Sequence, residues 1–232
     1  TANSAVLFPE YIARSVRQGM EEGDLLPSIT AATTRFEGMD YRSITAQAGG
    51  DSKELKAVDE GASIPATTIQ VQANLVKLRK RGRMLVASYE AVRYQKLDLF
   101  SVTLRQIGSH IAQMLLADAV DVLIHGDGND NAAEVDEVET SGTLTYDDLV
   151  DFWAKFDPYE MNTLLVSSDV LLKMLKLAEF QNPLTGLNFQ GTGKLATPLG
   201  ATLLRTSVLP KNTAIGLDKR YALELVQGSD VM

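Results

Sequence analysis

Cysteine is absent from all 232 residues, so disulfides and thiolate chemistry are excluded and a reducing compartment is a compatible setting. Histidine occurs only twice, as His110 and His125. If both lie on one helix, fifteen residues apart, roughly 22 Å separates them, so they cannot share a metal within one chain. No uninterrupted apolar run approaches the roughly 18 residues that a membrane span needs. No basic–apolar–small-residue leader opens the sequence, and no internal repeat is visible. An excess of positive charge is also lacking: 22 Lys and Arg stand against 30 Asp and Glu, for a net charge of −8 and a pI near 4.8. That balance argues against a protein whose whole surface grips nucleic acid. What is present is ordinary globular material, 45% hydrophobic and 22% charged, enough for one elaborate domain or two small ones.

The longest periodic stretch runs from Asp98 to Gly126 and reads as one helix of about 27 residues, roughly 40 Å long. Asp98 is the expected N-cap and Gly126 the expected stop. Phe100, Leu104, Ile107, Ile111, Leu115, Ala119 and Val122 recur at steps of three and four and predict the buried stripe. The C-terminal half is apolar nearly all round, which predicts cover on more than one side. Set among short strands, such a helix is a spine.

Before it, FPEYIARSVRQGMEE predicts an amphipathic helix with Pro9 in its first turn, ended by Gly23. Leu25-Leu26-Pro27 reads as an apolar clip inserted elsewhere. Residues 29–46 are rich in Thr and broken by Gly38, suggesting short extended pieces. Residues 48–68 form a small, polar loop too long for a hairpin turn. Ile69, Val71, Ala73 and Leu75 then alternate with Gln70, Gln72 and Asn74, the pattern of a half-buried strand. It continues into KLRKRGR, so residues 40–88 together predict a long ribbon of two arms projecting from the body.

After the spine, residues 126–142 are an acidic, glycine-punctuated connector. Thr145 with Asp148 forms a capping-box pattern before a helix closed by Pro158. NTLLV predicts a short buried strand, and Ser168 caps a second helix through Val170, Leu171, Met174, Leu175 and Ala178. Residues 181–200 read as a long Gly- and Pro-rich loop. Strands are expected at ATLLRTS, TAIGL and YALELV, giving a small mixed sheet flanked by two helices: an α+β fold class.

Signals for chemistry are weak. His125 reads as a helix C-terminal residue favoured by the dipole. Asp127-Gly-Asn129-Asp-Asn131 imitates the start of a calcium loop but has Ala132 where glycine belongs and Val138 where the bidentate glutamate belongs. GTGKLAT (191–197) lacks phosphate-loop spacing, and no G-x-S-x-G occurs. No catalytic residue, cofactor or metal ligand is expected. The strongest local signal is the basic run Lys77, Arg79, Lys80, Arg81 and Arg83. It has no interleaved aromatics for stacking bases, and its preferred reading is a charged face meeting acidic groups of a neighbouring subunit, such as Glu54, Asp59 and Glu60 or the 134–139 run.

FPEYIARSVRQGMEEGDLLP, then AVDEGASIPATTIQVQANLVKLRKRGRMLVASYEAVR, then a helix ending ADAVDVLIHGDGN, followed by NTLLVSSDVLLKMLKL, LGATLLRTSVLP and TAIGLDKRYALELV, resembles the major capsid protein of tailed phages, the Hong Kong 97-like fold. The collective order of these patterns is specific, although each alone is loose. The resemblance implies an N-terminal arm and start of a peripheral domain at 1–44 and an extended loop at 45–80. It further implies a peripheral domain with the spine helix at 81–128, an axial domain at 129–226, and the start of a return to the peripheral domain at 227–232. In that family the chain continues with further peripheral strands, so some tens of residues are expected beyond Met232. It also implies a non-enzymatic subunit that self-assembles as pentamers and hexamers into a virion shell, formed in the host bacterial cytoplasm. Such a shell encloses double-stranded DNA without sequence preference, with a scaffold, protease, portal or decoration protein as further partners. Lys53 and Lys56 fall in the loop where some relatives form crosslinks, but no crosslink residue can be carried over. An encapsulin-type nanocompartment enclosing cargo enzymes is the alternative. Two rivals from other classes are a small hydrolase using Asp169 or Lys194, and a nucleic-acid accessory protein using Lys77 to Arg83.

Overall fold

The structure, a computed structural model, describes residues 2–38, 40–46, 57–63, 69–78, 82, 86, 97–181 and 198–228. Its axis is helix α2, Leu97–His125, 29 residues long. The helix starts one residue before Asp98, which therefore lies inside it and is not its N-cap. It stops where expected: Gly126 takes φ +77°, and its N–H reaches the Val122 carbonyl at 2.8 Å. Glycine enters that left-handed region without the steric cost a Cβ imposes.

Helix α1, Ala2–Gly23, packs along α2. It begins seven residues before Pro9, which thus sits inside the helix and not in its first turn. The proline removes one hydrogen bond from the ladder while its fixed φ remains helical. The two helices meet at glycines. A Cβ on Gly108 would lie 2.1 Å from the Val16 carbonyl oxygen, and one on Gly19 would lie 2.2 Å from that of Arg105. This approach sets which face of α2 is buried: Leu104, Gly108, Ala112, Leu116 and Val120, at steps of four. The stripe expected through Ile107, Ile111, Leu115, Ala119 and Val122 is only half-buried. Small residues admit the partner backbone, so the contact is centred on them. By length and composition alone α2 is apolar enough to cross a membrane. Here its C-terminal half is covered as anticipated, with Leu115, Ala119, Leu123 and Ile124 packed into a core shared with the second half of the chain.

That second half is built on β6, Thr163–Val166, every residue of which is buried. Strand β7, Thr202–Arg205, runs parallel to it on one side, and β8, Ala214–Leu217, antiparallel on the other. Alternation along β6 sends Leu164 and Val166 into one core and Leu165 into another. The first core is closed by helix α3, Tyr146–Ala154, helix α4, Ser168–Leu175, and the short α5, Ala178–Gln181, with Leu149, Val170, Met174 and Phe180 buried. The second receives Leu26 and Ile29, so the Leu-Leu-Pro clip does insert there, beside Leu116 and Val120 of α2. The capping box at Thr145 and Asp148 forms as read. The N-cap of α4 is Ser167 and not Ser168. α3 ends at Ala154, and Pro158 follows in a separate turn.

The expected fourth strand of the small sheet leaves it. β9, Glu224–Gln227, pairs in parallel with β1, Ala32–Arg35, from Ala32 opposite Glu224 to Arg35 opposite Gln227. The ribbon exists as two antiparallel pairs. β2, Asp40–Tyr41, joins β5, Val76–Lys77, and β3, Ile44–Ala46, joins β4, Ile69–Val71. Residues 42–43 on one arm oppose residues 72–75 on the other, so the ribbon bends at a bulge and the expected strand through Leu75 stops at Val71. The architecture is α+β.

Candidate assembly interface

The ribbon's apolar face is turned outward. Ile44 is 67% exposed and lies directly opposite Val71, 58% exposed, while Ile69, on the same face of β4, is 68% exposed. Alternation was read as half-burial, but within this chain the apolar side of the alternation meets solvent. Residues directly opposed in an antiparallel pair share a face, so these three side chains form one patch. Burying each against a partner is worth roughly 1.5–3 kcal/mol.

Of the basic run, Lys77 sits on β5 in register with Asp40 and is exposed; Arg79, Lys80, Arg81 and Arg83 lie outside the described residues. Asp59 and Glu60 are exposed in a turn that the Ala62 N–H closes on the Asp59 carbonyl at 3.0 Å, and Glu54 lies outside the described residues. Sequence reasoning looked for charge on this ribbon and passed over its apolar face, whose signal was the alternation itself.

Two polar clusters fix the ribbon where it bends. The Glu224 carboxylate accepts hydrogen bonds from Thr34 Oγ1, from Tyr41 OH at 2.7 Å and from Ser43 Oγ at 2.9 Å. Partial burial pushes this carboxyl up, but the three hydroxyls outweigh it and hold it below its ordinary value. The Tyr41 phenol is raised in turn, first by its hydrogen bond to Glu224. On the other arm, Asn74 Nδ2 donates to the Gly128 carbonyl at 2.5 Å and the Asn74 N–H to Asn129 Oδ1 at 3.0 Å. The calcium-like run thus closes on itself and holds the ribbon: the Asp127 N–H donates to Asn131 Oδ1 at 3.0 Å, and Asn129 donates to Asp127 Oδ1 through its N–H at 3.1 Å and Nδ2 at 3.0 Å. Among the described residues no group of three or more His, Asp or Glu could hold a metal ion.

Some of the candidates for catalysis are tied into the fold. Asp169 Oδ2 accepts the Asn212 N–H at 2.5 Å, linking α4 to the turn before β8, and Lys194 lies outside the described residues. His125 Nδ1 contacts Asp121 at 2.8 Å one turn earlier on α2, and His110 is exposed. Buried Asp218 collects N–H donors from Glu160, from Asn162 Nδ2 at 2.8 Å and from Arg220 Nε at 2.9 Å and Nη2 at 2.7 Å. The Arg220 guanidinium holds its carboxyl well below the usual carboxylate range. Arg220 also reaches Glu160 at 3.2 Å, so this cluster pins the exit of β8 to the entrance of β6.

The described residues thus present an outward apolar ribbon, a long helix, and a small-sheet unit that shares a core with that helix. The family model for phage capsid protein matches residues 72–229. The chain belongs to that family. The capsid protein is also similar in fold to a solved virus-like particle from Pyrococcus furiosus, with a TM-score of 0.57 and 13% identity, covering 96% of this chain and 84% of that one. No curated protein sequence matches it. Family and fold together make this a shell-forming capsid protein of the Hong Kong 97-like type.

Proposed function

We propose that the capsid protein is the major subunit of a tailed-phage head, assembling as pentamers and hexamers into an icosahedral shell around double-stranded DNA, with no turnover of its own. Membership of the phage capsid family supports a shell-forming role, within which the phage head is the reading adopted. The single structural observation that carries the assembly reading is the exposed Ile44, Ile69 and Val71 face on a ribbon rooted at both arms. A patch of this kind on a firm support marks an interaction site. A ring contact is heterologous, so each subunit offers one surface and receives another. In this reading residues 45–80 are the arm that lies over a neighbour and 129–226 the unit facing the capsomer centre. Lys77, Arg79, Lys80, Arg81 and Arg83 together with Glu54, Asp59 and Glu60 contribute charge at that contact. A virion component assembled in bacterial cytoplasm follows from the same reading, as do a portal and a scaffold or protease as partners. A nanocompartment shell around cargo enzymes is the second reading, because the fold is shared with a virus-like particle.

Expression of the full-length protein followed by negative-stain electron microscopy tests this. Closed shells are expected, and their absorbance ratio separates nucleic acid from protein contents. A monodisperse, folded subunit under all conditions of salt and pH would sink the shell reading.

A further inference from the structure

Both polar clusters at the ribbon's bend attach to a segment where the chain enters or leaves the small-sheet unit. Gly128 and Asn129 lie in the turn that leaves α2 for that unit, and Glu224 begins the strand that returns from it. Asn74 lies within the bulge, as does Ser43 on the opposite arm, where Tyr41 stands at its edge. The bend is therefore tied on one side to the outgoing chain and on the other to the incoming chain. We infer that Asn74 and Glu224 are positioning residues that couple the direction of the ribbon to the tilt of the small-sheet unit. A rotation of that unit carries both segments with it and re-aims the ribbon. This rests on the ribbon being an arm laid over a neighbour, and it adds what sets the angle at which the arm is offered.

The physical argument is one of leverage. Among the described residues the ladder beside the bend comprises two residue pairs in β2–β5 and three in β3–β4. An isolated two-stranded ribbon is marginally stable at best, so its orientation must come from attachments at its root. The Glu224 attachment is charge-assisted, stronger than a neutral hydrogen bond. It draws hydroxyls from β1, from β2 and from residue 43 onto one carboxylate. The Asn74 attachment uses its side-chain donor and its own backbone N–H, which fixes rotation as well as position.

The test combines amide hydrogen exchange on the full-length subunit with the diameters of assembled shells, for Asn74→Ala, Glu224→Ala, Glu224→Gln and the Asn74→Ala/Glu224→Ala double variant. Each alanine variant is expected to speed exchange by about tenfold or more at residues 40–46 and 69–77 on both arms, while β6 and β8 keep wild-type protection. Glu224→Gln, which keeps an acceptor in place, should fall between wild type and Glu224→Ala. Shells of the double variant should form with a broadened distribution of diameters. Acceleration confined to the arm that loses its own attachment, unchanged exchange in both single variants, or double-variant shells of uniform wild-type diameter would each overturn the coupling. A wild-type subunit that never forms shells overturns the proposed function, and the exchange measurement still decides the coupling by itself.

Discussion

Gly19 and Gly108 contribute by having no side chain, since each faces a carbonyl oxygen of the other helix. Replacing Gly108 with alanine should gain about 1 kcal/mol of helix propensity. Its methyl would sit 2.1 Å from the Val16 backbone oxygen, which cannot swing aside as a side chain can. The helices must part, uncovering Leu104 and Ala112, and overpacking of this kind costs roughly 1–3 kcal/mol. The expected outcome is a net destabilisation of up to about 2 kcal/mol, read as a lower urea midpoint with an unchanged slope. This site was illegible in the sequence because a stripe search weighs large apolar residues and assigned the contact to Ile107 and Ile111. Asp218 gives a second prediction. Its folded pKa is depressed, so its contribution to stability is fully present above the unfolded value of about 3.9 and is lost as pH falls below it. Acid unfolding of Asp218→Asn should therefore be less steep below about pH 4 than that of the wild type. The variant should also melt several degrees lower at neutral pH, because Arg220 loses the carboxylate it grips. A melting curve series across pH checks both.

Elements were legible where their signals are local. The capping box at Thr145 and Asp148 could be read from four residues and forms as read, with the Asp148 carboxyl lowered mainly by the Thr145 hydroxyl. Thr145→Ala should cost about 1 kcal/mol, visible in thermal or chemical unfolding, and Thr145→Ser should restore most of it. The buried β6 and the spine helix were legible for the same reason, since their periods lie within single stretches. What could not be read is pairing at a distance. YALELV announces a strand, but nothing within it says that its neighbour is Ala32–Arg35, some 190 residues earlier, and not the adjacent β8. The ribbon shows both sides of this. One arm followed from alternation and the other from a Thr-rich stretch broken by Gly38, whereas the bulge that bends it depends on how residues 42–43 face residues 72–75.

At the scale of the whole molecule, the question is which force joins one subunit to the next. The basic run made a charged contact the natural expectation, while the structure turns Ile44, Ile69 and Val71 to solvent. The two respond oppositely to salt. At about 1 M ionic strength the Debye length is near 3 Å, so contact between Lys77 to Arg83 and acidic groups would be largely screened. Apolar burial is not screened, and sulfate strengthens it by exclusion from the surface. DNA-free shells assembled from purified subunits should therefore form as well at about 1 M NaCl as at about 0.1 M, and better in sulfate. Ile69→Asp/Val71→Asp should leave the subunit's unfolding free energy within about 0.5 kcal/mol of wild type, because these side chains are already solvated. The same substitution should abolish shells, since it places two carboxylates in a surface that assembly must dry. Shells that vanish with salt yet tolerate the double aspartate would hand the contact back to the basic run.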